Sequence, residues 1–105
     1  MSVHHLRYLC GPASVALVGA SERPGSLGEA LARNLLAGDF KGDVFFVNRR
    51  HRQVRDRPAY RRLADLPSTP ELAVIATPVR TIPRLLLEAG RRGIKAVIIA
   101  TPYNF

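Results

Sequence analysis

The sequence has one cysteine, Cys10, among its 105 residues. A single thiol excludes a disulfide framework within the chain and points to a reducing, cytoplasmic setting. The simplest role for Cys10 is that of a small apolar residue. Long apolar runs are also missing, and none reaches the roughly 20 residues that a membrane-spanning helix needs. The opening "MSVHHLRYLCGP" holds no apolar core long enough for a signal peptide. Histidine is scarce, and His4, His5 and His51 have neither metal-ligand spacing nor a cysteine or carboxylate partner, so no metal is expected. A nucleophile paired with a base is missing too: Ser21 has no identifiable base. Lysine is rare, since fourteen of the sixteen basic residues are arginine.

What is present suits one small domain over residues 1–105, with 47% hydrophobic residues and a net charge of +8. A GC-rich coding sequence biases toward arginine, so the total charge says little about partners. Its distribution says more. Between Arg49 and Arg62 stand seven arginines and a single acid, Asp56, which makes an anion-attracting stretch.

"VHHLRYL" reads as a short helix or arm. "SVALVG" (Ser14 to Gly19) is a nearly continuous apolar run, as expected of a strand buried on both faces of a parallel sheet. "SLGEALARNLLAG" predicts a helix with Leu27, Ala30, Leu31 and Leu35 on one face, a Ser26–Glu29 capping box and an exit at Gly38. "DVFFVN" is a second strand, and a short helix is expected around "YRRLADL". "ELAVIAT" is a third strand. "TIPRLLLEAGRRG" predicts a second long helix with Thr81 as N-cap, Pro83 in the first turn, and Ile82, Leu85, Leu86 and Ala89 facing inward. "KAVIIAT" is a fourth strand. The alternation predicts an α/β, Rossmann-like, three-layer domain with a parallel sheet of about four strands. In such sheets ligands bind beyond the carboxyl ends of the strands. The loops Gly19–Gly25, Asn48–Arg52, Thr77–Arg80 and Ala100–Tyr103 meet there.

The first loop is "GASERPGSLG". Gly19 turns the chain, Ser21 offers a hydroxyl, and backbone N–H groups near the helix N-terminus favour a phosphate. From first to last glycine the loop is four residues longer than a Gly-x-Gly-x-x-Gly fingerprint, with Ser21 where the second glycine would stand, which argues against a standard NAD site. A tight turn without ligand is the alternative. The second loop, "VNRRHR", puts Asn48, Arg49 and Arg50 where an NAD site carries an acid. Guanidinium groups grip a ribose phosphate, so the position suits NADP or coenzyme A. The outer arginines Arg55, Arg57, Arg61 and Arg62 read better as a solvated face. Pro78, directly after the third strand, either walls a ligand or simply ends the strand, and Arg80 contacts either ligand or solvent.

"PASVALVGASERPGSLGEALARNLLAGDFKGDVFFVN", "LADLPSTPELAVIATPVRTIPRLL" and "GRRGIKAVIIAT" together resemble the CoA-binding domain of NDP-forming acyl-CoA synthetases. Within that family the likeness is strongest to bacterial proteins that fuse a synthetase-like region to a GNAT-type lysine acetyltransferase. The alpha subunit of succinyl-CoA synthetase is a more distant version. The resemblance runs from about Leu6 to Thr101. It implies a domain that holds CoA or acyl-CoA. Ser21 and its loop neighbours Gly19, Ala20, Arg23, Pro24 and Gly25 would meet the phosphates. Asn48 and Arg50, with Arg49 beside them, would lie near the nucleotide. Thr77, Pro78, Ala100 and Thr101 would follow the pantetheine arm.

Three departures stand out. Arg49 replaces the proline of the usual "VNP". Arg55 and Asp56 stand where many relatives have glycine. "TPYNF" replaces a glycine-bearing turn after the fourth strand. The chain also stops short of the family's later strands, as expected of a fragment or the N-terminal part of a larger protein. The expectation is a CoA- or acyl-CoA-binding domain without catalysis of its own, whose partners are ATP-grasp or acetyltransferase domains of a parent protein. An NADP-type module and a ligand-free interaction domain are the alternatives. Arginines without interleaved aromatics fit nucleic acid poorly. A sheet edge left open by missing strands predicts self-association.

Overall fold

The computed structural model describes residues 11–38 and 40–100. The expected arm at "VHHLRYL", Cys10, Thr101 and the rest of "TPYNF" lie outside the described residues.

Six strands build one sheet: β1 (Ser14–Val18), β2 (Asp43–Val47), β3 (Gln53–Val54), β4 (Arg57–Tyr60), β5 (Leu72–Ile75) and β6 (Ala96–Ile99), in the order β3-β4-β2-β1-β5-β6. All pairings are parallel except β3 with β4, which is antiparallel. The chain first builds outward from β1 through β2 and β4, then returns to place β5 on the other side of β1. Strand order therefore reverses at β1, which opens a crevice beyond the carboxyl ends of β1 and β5.

β1 is buried along its whole length because both of its faces are covered. Its Leu17 packs with Phe46, Val54 and Ala32 on the side of helix α1 (Leu27–Ala37). Ala16 and Val18 point the other way, toward Leu85 and Ala89 of helix α2 (Ile82–Arg92) and toward Leu63 and Leu66. Two half-cores on opposite faces of one sheet make the three layers.

α1 starts where the sequence places it. Ser26 Oγ accepts from the Glu29 amide at 3.2 Å, one half of the capping box. The Glu29 carboxylate does not complete the box, because it pairs with Arg33 and Arg55. The face of α1 turned to the sheet is centred on Gly28 and Ala32, with Leu31 and Leu35 beside them. Gly28 permits this close approach, since a Cβ there would collide with the Gly19 carbonyl.

Four expectations need correction. The short helix expected around "YRRLADL" is only a single 3₁₀ turn, Leu63–Asp65, and Tyr60 before it is the last residue of β4. The sheet gains two strands, because the free edge of β2 pairs with Ala59 and Tyr60 whatever the stretch's own helical pattern. Leu86 is not inward but 43% exposed, since Leu85 and Ala89 already fill the narrow contact with the sheet. Thr81 does not cap α2 with its side chain. A 3₁₀ turn, Val79–Thr81, precedes the helix, and the Thr81 hydroxyl bonds back to the Pro78 carbonyl instead.

Candidate functional site

The parallel strands deliver their carboxyl ends to one edge, where an open pocket of about 390 Å³ lies. Val18, Gly19, Ala20 and Ser21 come from the end of β1, and Val47, Asn48, Arg49 and Arg50 from the end of β2. Thr77 and Pro78 follow β5, and Arg84 and Leu85 come from the first turns of α2.

The loop after β1 is held tightly. Gly19 has φ +96°, and a Cβ on it would meet the Thr77 Cγ2 at 2.9 Å and the Ala76 carbonyl oxygen at 3.0 Å. Its amide donates to the Val47 carbonyl at 2.9 Å. Ser21 Oγ accepts from the Arg23 amide at 2.9 Å, which leaves its hydroxyl proton to be donated elsewhere. Gly25, also in the left-handed region, makes the turn into α1.

Asn48 is a brace. Its Nδ2 donates to the Ala20 carbonyl at 2.8 Å, and its Oδ1 accepts from the amides of Arg50 and His51 at 2.7 and 2.8 Å. This Asx turn locks the end of β2 against the β1 loop and orients the backbone that carries Arg49 and Arg50. Most of the side chain's bonding capacity is used inside the protein.

Six arginines, Arg49, Arg50, Arg61, Arg62, Arg80 and Arg84, line the pocket against one acid, Glu88, which pairs with Arg84 at 3.5 Å. The rim is thus strongly positive, over a floor of Val18, Val47, Leu63 and Leu85. Such a site suits an anion with an apolar or amphipathic extension. Among the described residues no group of histidines, cysteines and acids is placed to hold a metal ion. No described helix is long and apolar enough to cross a membrane.

Of the residues singled out in the sequence, the pocket brings together Gly19, Ala20, Ser21, Asn48, Arg49, Arg50, Thr77 and Pro78. Arg23, Pro24 and Gly25 do not line it, because they form the exposed turn that leads away into α1. Ala100 does not line it either; its amide continues the ladder to the Ile75 carbonyl at 2.8 Å. Arg61 and Arg62, expected on a solvated face, do line it. The reason is β4: running parallel to β2, it carries the residues after Tyr60 to the same edge. Of the other two outer arginines, Arg55 sits in the β3–β4 turn and pairs with Glu29 at 3.6 Å, while Arg57 is exposed on β4. Thr81, Arg84 and Glu88 were missed, although their spacing of three and four residues, from the turn before α2 into the helix, puts them on one face.

Comparison with known proteins identifies the family. Residues 13–102 match the model of the CoA binding domain family. The chain is 34% identical over 98 residues to an ADP-forming acetate–CoA ligase of Methanocaldococcus jannaschii, covering 93% of this chain and 14% of that protein. It is equally 34% identical to the alpha subunit of ADP-forming acetate–CoA ligase I of Pyrococcus furiosus, covering 90% of this chain and 21% of the subunit. Among solved structures it superimposes on a dinucleotide-forming acetyl-coenzyme A synthetase 1 of Ca. Korarchaeum cryptofilum with a TM-score of 0.84 and 32% identity, over 93% of this chain and 21% of that one. The chain thus spans about a fifth or less of the length of these relatives.

Proposed function

The chain belongs to the CoA-binding domain family, and from that premise we propose that its strand-edge pocket binds CoA or acyl-CoA and performs no catalysis by itself. The observation that carries this reading is the meeting of the glycine-tight loop after β1 with six arginines over an apolar floor. Ser21 donates its free hydroxyl proton to a phosphate oxygen, and the arginines supply charge-assisted bonds to the remaining phosphates. The floor takes the pantetheine arm. In a longer protein the domain presents the thioester to a neighbouring domain, of the ATP-grasp or acetyltransferase kind.

Calorimetric titration with CoA, acetyl-CoA, NADP and ATP tests the proposal. Micromolar CoA binding is expected. Hydrogen bonds to charged groups are worth about 1.5–3 kcal/mol, so Arg50→Glu weakens CoA about tenfold or more. Tighter binding of NADP than of CoA, or no binding of CoA, overturns the reading.

A further inference from the structure

The hydroxyls at the end of β5 have a fixed polarity. Thr81 Oγ1 lies 2.6 Å from the Pro78 carbonyl oxygen, which can only accept, so the Thr81 proton is committed there. Thr77 Oγ1 lies 2.7 Å from Thr81 Oγ1. Since Thr81 has no second proton, Thr77 is the donor of that bond. The Thr77 proton is therefore committed as well, and Thr77, which lines the pocket, keeps its oxygen as an acceptor alone. No described donor reaches it. The side chain cannot easily turn to present its proton, because its methyl group is packed against Gly19: a Cβ on Gly19 would stand 2.9 Å from it.

An acceptor at this point repels phosphate oxygens and carbonyl groups and attracts an N–H. Arg49, Arg50, Arg61 and Arg62 come from the β2 and β4 side, and β1 lies between β2 and β5. Adjacent strands are about 4.8 Å apart, so roughly 10 Å separates the β2 end from Thr77. A ligand anchored by its phosphates at the β1 loop and those arginines reaches Thr77 only with an extended arm. Resting on the CoA reading above, we propose that Thr77 Oγ1 accepts a hydrogen bond from an amide N–H of the pantetheine arm, which makes Thr77 a specificity-determining residue for the arm rather than for the nucleotide.

The test compares the wild-type chain with Thr77→Val and Thr77→Ser by calorimetry, against CoA and against adenosine 3′,5′-bisphosphate, which lacks the arm. Thermal melting of each variant checks that it is folded. One neutral hydrogen bond corresponds to about a five- to tenfold change. Thr77→Val is expected to weaken CoA by that factor and leave the bisphosphate unchanged, while Thr77→Ser, which keeps the acceptor, restores CoA binding. Two ester analogues of CoA, each with one amide N–H replaced by oxygen, supply the polarity test. One of them loses the same factor on the wild-type chain and nothing further on Thr77→Val. Equal losses for CoA and the bisphosphate would place Thr77 at the adenine and overturn the proposal. So would wild-type binding of both esters as tightly as CoA. If the wild-type chain binds neither CoA nor the bisphosphate, it is the CoA reading itself that fails.

Discussion

Glycine in this protein has opposite meanings at two helical positions. At Gly28 a methyl group would collide with the Gly19 carbonyl, at the point where α1 crosses the loop after β1. At Gly90, in α2, a methyl group would meet nothing within 4 Å. Gly28→Ala therefore forces α1 away from the loop and is expected to cost roughly 1–3 kcal/mol, the usual cost of overpacking, with a loss of CoA affinity. Gly90→Ala only removes backbone freedom from the unfolded chain and is expected to stabilise by about 0.5–1 kcal/mol. Urea unfolding of the two variants measures both. Opposite signs are the expected result, and a stable, tight-binding Gly28→Ala would contradict the packing described.

Among the elements, the β3–β4 hairpin is the one least written into the sequence. Its turn has Arg55 and Asp56 both at positive φ, +51° and +61°, which is the geometry that favours Asn-Gly. With neither residue present, and with no apolar alternation in "RQVRDRPAY", the ordinary hairpin signals are missing. The strands form because β2 offers an unpaired edge and because Val54 is buried under α1. Asp56→Gly relieves one strained position and is expected to raise stability by about 1 kcal/mol, read as a higher midpoint in the same urea experiment. The four parallel strands and both long helices were legible, because continuous apolar runs and a 3.6-residue period report directly on burial. The lining of the candidate pocket was legible where it depends on strand ends, as at Ser21, Asn48 and Thr77. It was not legible where it depends on β4, so Arg61 and Arg62 came out on the wrong side. The brace made by Asn48 was also hidden, since Asn48 and its partner Ala20 lie 28 residues apart in sequence.

For the whole molecule, charge and an open edge set the behaviour. The pocket's arginines are largely exposed, and their attraction for phosphate is screened over about 10 Å at 0.1 M salt. CoA affinity is thus expected to fall steadily as sodium chloride is raised from 50 to 500 mM (about a tenfold range of concentration), and a flat profile would place the phosphates away from the arginines. At the other end, β6 is an edge strand among the described residues, and its Ile98 and Ile99 are 39% and 48% exposed. An unpaired strand edge with apolar side chains invites a second copy. Light scattering is expected to show association at high concentration that Ile99→Lys suppresses. A clean monomer throughout would contradict it.

β1 runs toward the pocket and β6 runs parallel with it through β5. Residue 11 therefore sits at the edge of the sheet away from the pocket, and residue 100 at the pocket's own edge. The two ends are unequal as handles. A chip or bead attached ahead of β1 leaves the mouth of the pocket facing solution. The same attachment after β6 sets the tether beside the mouth, where it slows capture of CoA. The direction of the parallel strands thus decides how the domain is best immobilised, and any partner fused after β6 starts beside the mouth of the pocket.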